Sequence, residues 1–155
     1  MNTTPKPSQI VIMASGAVTF LFSFFAFFTF FGESRNAWSG DAGTLFMATW
    51  PALFGLIAAG LAALGAFAAD NVTLPDRVLT FTLAQVTFVL AFTSFVIMFG
   101  YLLGGGAGDG AGKGFGFILM LLGSVGLLVG AVMELLGVGE NATSSGQSGT
   151  PPQSF

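Results

Sequence analysis

Very few side chains in this sequence can do chemistry. Of 155 residues, four are lysine or arginine, seven are aspartate or glutamate, and none is histidine or cysteine. Without imidazole or thiolate there is no hydroxyl or thiol triad based on histidine, no soft zinc site and no disulfide. The acid that stands out is Glu134, near the end of "GSVGLLVGAVMELLG", residues 123–137, where every other residue is glycine, serine or apolar. A carboxylate in such surroundings either has a polar partner or titrates, and desolvation then raises its proton affinity. Glu140, six residues on, falls on a different side of a continuing helix, so no convergent carboxylate pair forms and no enzyme is expected.

Two loops hold further candidates. "GESRNAWSGDAG" carries Arg35, Trp38 and Asp41, a candidate partner-facing set in which the indole also suits an interfacial anchor. "GGGAGDGAGKG" imitates a phosphate-binding loop, but Ala107 stands where the first glycine belongs and Gly114 where the magnesium-binding hydroxyl belongs. It reads as a mobile hairpin loop, and no cofactor is expected. A formal net charge of −3 gives nucleic acid nothing to grip.

The elements that position these groups follow from composition. With 54% hydrophobic and 7% charged residues, the chain is far from the soluble balance of about 25% charged. Four uncharged runs, 7–32, 42–69, 78–108 and 114–133, each reach the roughly 20 residues that a helix needs to cross a bilayer. None alternates polar with apolar, so strands are not expected. The first run outlasts the apolar core of a secretory signal and lacks a small-x-small cleavage pattern, which predicts a retained helix. The expected fold is an all-α membrane protein: an antiparallel four-helix transmembrane bundle with short loops and spans of about 10–32, 50–69, 76–103 and 115–138. A polar head (1–9) precedes the transmembrane domain (10–139), and a disordered tail (140–155) follows it. Trp50-Pro51 opens the second span, and Pro75 with Asp76 is expected in the first turn of the third.

In lipid, helices meet through small residues on one face. Spacing of three and four marks Ala52, Gly55, Ala59, Ala62 and Ala66 on the second span, and Thr80, Ala84, Thr87, Ala91 and Ser94 on the third. Gly116, Gly123, Gly130 and Gly137 form a seam on the fourth that includes Glu134. Ser15, Thr19, Ser23 and Ala26 form a narrower strip on the first, whose phenylalanines become an aromatic wall toward lipid or another subunit. Gly126-x-x-x-Gly130 also fits a helix-dimer motif, so a homo-oligomer is compatible with the sequence. Arranging the third and fourth spans as neighbours brings Arg77, Thr80 and Gln85 near Glu134 as candidate partners.

"FFTFFGESRNAWSGDAG", "WPALFGLIAAGLAAL" and "TLPDRVLTFTLAQ" together resemble a group of actinobacterial four-span membrane proteins of unknown function. The resemblance implies four-span topology in a bacterial plasma membrane and no site residues. Lysine and arginine divide evenly between the two sides, and the added charge of the amino terminus leans toward both termini being cytoplasmic. The function expected is that of a non-catalytic accessory or scaffold subunit packing against other membrane proteins, for example within a respiratory assembly. The alternative is a small proton-coupled transporter or channel using Glu134. Because the acid lies within about two turns of the interface, with polar residues in reach, Glu134→Gln is expected to leave assembly and proton permeability of reconstituted vesicles nearly unchanged. Loss of a pH-dependent flux in that variant would assign Glu134 a titrating role instead.

Overall fold

The first helix begins with a proline, which sacrifices no bond in a first turn because that N–H has no intrahelical partner. This is α1 (Pro7–Phe22), followed by β1 (Ala26–Phe30), β2 (Glu33–Asn36), α2 (Thr49–Phe67), β3 (Arg77–Val78), β4 (Phe81–Thr82), α3 (Leu83–Leu103), β5 (Ala111–Lys113) and α4 (Phe115–Leu135). The computed structural model describes residues 5–39, 47–67, 77–78, 80–104 and 111–138. Four helices dominate the described residues. The all-α expectation needs correcting, because β2, β1 and β5 form a three-stranded antiparallel sheet and β3 pairs with β4.

The first correction lies in the first span. Its helix stops at Phe22 instead of running to residue 32. Ser23 turns its hydroxyl back onto the Phe20 carbonyl at 2.5 Å, and the aromatic run beyond it, rich in β-forming residues, pairs as strand β1. Phe31 and Gly32 both have positive φ, 45° and 87°, which is the backbone of a two-residue type I′ hairpin turn. A bulge in the β1–β2 register between Ala26 and Phe28 admits an extra residue. That re-aims the strand, and Phe27 and Phe28 are both fully buried although they are neighbours. Their rings meet edge to face at 5.0 Å, and Phe27 meets Tyr101 at 5.3 Å and Phe117 at 5.2 Å in the same manner. The expected aromatic wall is therefore partly turned inside out.

The third span starts later than expected, at Leu83 and not at 76. Thr82 accepts the Gln85 N–H at 3.3 Å while the Gln85 side chain accepts the Thr82 N–H at 2.9 Å. This reciprocal capping box satisfies two orphan donors and fixes the helix start more strongly than an upstream proline can. The second span matches its reading closely, with Pro51 in the first turn of α2. At the end of α4, the Gly137 N–H reaches the Glu134 carbonyl and the Val138 N–H reaches that of Met133. With Gly137 at φ 64°, this is a Schellman terminator. Gly137 thus ends the helix and does not extend the seam. The Gly-rich loop before α4 also differs from its reading, since Ala111–Lys113 is a strand.

α2, α3 and α4, with 19, 21 and 21 residues, are long and apolar enough to cross a membrane. α1 has 16 residues, about 24 Å of helix against about 30 Å of hydrocarbon. The helices form a ring in chain order, α1 against α2 and α4, and α3 against the same two, with α1 making the most extensive contacts. A Cβ added at Gly123 meets Thr19 and Ser15, one at Gly126 meets Ser15, and one at Gly130 meets Ile12. Rising numbers on α4 against falling numbers on α1 define an antiparallel pair. Gly16 of α1 meets Gly55 and Ala59 of α2 in the same sense, and Gly65 meets Gln9. The small-residue faces read from α2 and α4 are thus helix–helix seams, and both glycines of the dimer-like motif are used inside the chain.

A Cβ on Gly16 would overlap the Gly55 carbonyl oxygen, whereas a Cβ on Gly60 meets nothing within 4 Å. Gly16→Leu is therefore expected to cost about 1–3 kcal/mol or more through overpacking. Gly60→Ala should gain about 0.5–1 kcal/mol from helix entropy. Circular dichroism melts in mild detergent should move in opposite directions for the two variants.

Candidate functional site

The polar groups of the described residues gather at the two ends of the helix ring. Between them lie hydroxyls that are already occupied. Thr19 and Ser124 donate to the Ser15 and Leu121 carbonyls of their own helices at 2.8 Å each, and Ser94 of α3 reaches the Pro51 carbonyl of α2 at 3.4 Å. Such bonds satisfy buried hydroxyls without offering them to a ligand. Among the described residues there is no group of three or more acidic side chains placed to hold a metal.

At one end sits Glu134, half-buried in the last turn of α4. The α1–α4 register that sets residue 123 beside 19 and residue 130 beside 12 brings residue 134 level with Ser8. The Ser8 hydroxyl is buried and has no hydrogen-bond partner. Of the three partners expected for Glu134, Gln85 has its side-chain oxygen committed to the Thr82 N–H. Thr80 is exposed in the turn before β4. The backbone of Arg77 pairs with Thr82, and the Arg77 side chain lies outside the described part of the structure. Sequence reasoning set Glu134 against α3 and overlooked α1, whose Gly16 and Ser8 carry no signal in a chain with 23 glycines.

At the other end, the sheet and its hairpin are held to α1 by Trp38. The indole N–H donates to Ser23 Oγ at 2.8 Å, which in turn donates to Phe20. Its ring stacks on Phe24 at 5.5 Å and 9°. The Trp38 backbone N–H and the Ser39 hydroxyl both bond to Asn36 Oδ1, at 3.1 Å and 2.9 Å. Thr49 Oγ1 donates to the Ala37 carbonyl at 2.8 Å and ties the same segment to α2. Lys113 of β5 donates to the Leu102 carbonyl at 2.6 Å and lies 5.6 Å above the Phe117 ring, latching the sheet to α3. Trp38 is thus an internal bracket as well as a partly exposed aromatic, a role that residue type and spacing do not signal.

Of the loop residues singled out by sequence, Arg35 is half-exposed and lies 3.5 Å from Glu33, two residues away on β2. Asp41 lies outside the described residues. β2 is an edge strand with exposed Glu33, Ser34 and Arg35. Charges and an open sheet edge are excluded from hydrocarbon, so in a bilayer this end belongs to the headgroup layer. Phe31, at the hairpin tip, is 91% exposed with φ 45°. For a bulky residue that backbone is uncommon and costs about 1–2 kcal/mol. Nothing in the aromatic run distinguished Phe31 from its neighbours.

In comparisons with known proteins, the chain matches no family model, no curated protein and no solved structure.

Trp38→Phe keeps the ring against Phe24 and removes the indole donor, so Ser23 Oγ loses the bond it accepts and keeps the one it donates to Phe20. The expected loss is about 0.5–1.5 kcal/mol, read as a lower melting temperature. Unchanged stability would mean that the indole bond adds nothing to the bracket.

Proposed function

We propose that the chain is a non-catalytic accessory or scaffold subunit, with all four helices crossing a bacterial plasma membrane and both termini cytoplasmic. It would act by packing against other membrane proteins, as in a respiratory assembly. The observation that carries this reading is Phe31. A large aromatic held fully outward, in a backbone conformation that disfavours it, persists where a contact outside the chain repays the strain. Phe25, Phe115, Trp50 and Met47, all more than 40% exposed at the same end, widen that contact into an aromatic and thioether collar of the kind that membrane interfaces and partner surfaces use.

The shortness of α1 fits this reading too. The sheet-capped end adds an apolar, aromatic segment where the helix stops, and a bilayer thins or neighbours gather around a short span. Against the transporter alternative weighs the interior. Its described buried polar groups are serine and threonine hydroxyls, mostly bonded to backbone carbonyls, and its buried apolar positions are filled by residues such as Met98, Met120 and Leu127. Cysteine scanning along α3 and α4 should accordingly label only their ends. A continuous labelled stripe would favour transport.

Purification of the full chain from its native membranes in mild detergent is expected to bring down other membrane proteins at defined stoichiometry. Phe31→Asn places a residue tolerant of the left-handed region in the turn. It should melt at the same or a higher temperature while recovering those proteins several-fold less well. A solitary protomer from native membranes, or undiminished recovery with Phe31→Asn, would sink the docking role.

A further inference from the structure

The stretch from Pro7 to Gly32 carries the start and stop signals of one long helix. Pro7 suits a first turn and Gly32 a left-handed stop, and no glycine or proline lies from Ala17 to Phe31. The structure instead divides these residues between a helix that ends at Phe22 and a strand, Ala26–Phe30. We propose that residues 23–31 are a conformational switch set by bilayer thickness: strand β1 in a thin bilayer, a continuation of α1 in a thick one. The inference rests on α1 crossing the bilayer and needs no protein partner.

The packing surface for a longer helix is already present. Ile12 and Thr19 of α1 face Gly130 and Gly123 of α4, and Ala26 faces Gly116. Both series advance by seven residues, about two helical turns, so the α4 seam is spaced for an α1 that continues to Ala26. Ser15, Thr19, Ser23 and Ala26 carry the small-residue strip past the point where α1 stops, at spacing four and three. The chain also stays wound beyond Phe22. The Phe24 N–H bonds to the Leu21 carbonyl at 3.4 Å and the Phe25 N–H to the Phe22 carbonyl at 3.2 Å, which is the tighter winding common at helix ends.

Each form has contacts that the other lacks. The strand form holds the Gly114 N–H on the Phe27 carbonyl, the Trp38 indole on Ser23, and the Phe27 and Phe28 rings in a buried cluster. It also holds Phe31 at φ 45°, which a helix would relieve. The bilayer decides between them. α1 spans about 24 Å, a helix over 7–31 would span about 37 Å, and the hydrocarbon core averages about 30 Å. In a thin bilayer the long helix would push phenylalanines of the run 24–31 into water, and the sheet folds them back over the end of the bundle. In a thick one the open edge of β2 would be drawn into hydrocarbon, whereas a helix satisfies its own backbone. Lipid thus interacts differently with the two states, which is what shifts an equilibrium.

The chain has no cysteine, so each introduced pair reports one contact. Thr29 and Gly112 are opposed across β1 and β5, and Thr29→Cys/Gly112→Cys should form a disulfide on mild oxidation while β1 lies on β5. Ser15→Cys/Gly126→Cys reports the contact between α1 and α4 and serves as the reference. The full chain is reconstituted into dimyristoleoyl or dierucoyl phosphatidylcholine vesicles, which differ in acyl length. The strand pair is expected to cross-link several-fold less in the dierucoyl vesicles, with the reference pair unchanged. Phe31→Gly eases the turn and weakens the helix, and should restore cross-linking of the strand pair there. Equal cross-linking of the strand pair in both lipids, or a fall shared by the reference pair, would overturn the switch. Crossing is read separately by mass spectrometry of Lys6→Cys/Ser34→Cys after an impermeant maleimide is added outside the vesicles. One label per chain is expected. Chains carrying two labels or none would overturn the crossing of α1 and the switch with it, whereas one label with thickness-independent cross-linking would overturn the switch alone.

Discussion

Everything else in this fold depends on how closely α1 approaches its two neighbours. Gly16 faces the backbone of α2, and Gly123, Gly126 and Gly130 face side chains and backbone of α1. In lipid, hydrocarbon gains nothing by leaving one apolar surface for another, so helix association depends on dispersion at short range and on the bonds that close contact permits. Dispersion falls off within about an ångström of the optimum. A methyl group at these glycines would therefore remove the attraction as well as add a clash. α1 is the shortest helix and the most extensively packed, because glycine and small side chains line the faces that meet it.

That packing also sets where α1 must stop. Past Phe22 the chain lies against the start of α4, where a Cβ on Gly114 or Gly116 would run into the Ala26 backbone. There the Gly114 N–H bonds to the Phe27 carbonyl at 2.9 Å. The aromatic run consequently leaves the helix and becomes the middle strand of a three-stranded sheet. Its bulge directs both Phe27 and Phe28 into a cluster with Tyr101 and Phe117. One end of the bundle is thus closed by aromatic rings in edge-to-face contact, which contribute beyond their buried area. The same turn of chain sets Trp38 against Ser23 and projects Phe31 outward.

The described residues divide their labour. The interior is committed to packing, and chemistry is displaced to the ends: Glu134 level with Ser8 at one, the Glu33–Arg35 pair with its aromatic surroundings at the other. In a bilayer both ends would meet headgroups and water.

The helices and their faces were legible from residue types alone, because a stripe of small residues at spacing three and four survives any arrangement of neighbours. Ala52, Gly55, Ala62 and Ala66 on α2, Thr87, Ala91 and Ser94 on α3, and Gly116, Gly123 and Gly130 on α4 are all buried. The end of α1 was not legible. A run such as FFAFFTFF has the hydropathy of a membrane helix and the β propensity of a strand, and only the neighbouring β5 and the start of α4 break that tie. The start of α3 was written locally, in Thr82 and Gln85, but the upstream proline and aspartate masked it. Which glycine meets which neighbour came from tertiary structure. Local sequence fixes periodicity and caps, while close approach is a property of two backbones that neither segment encodes alone.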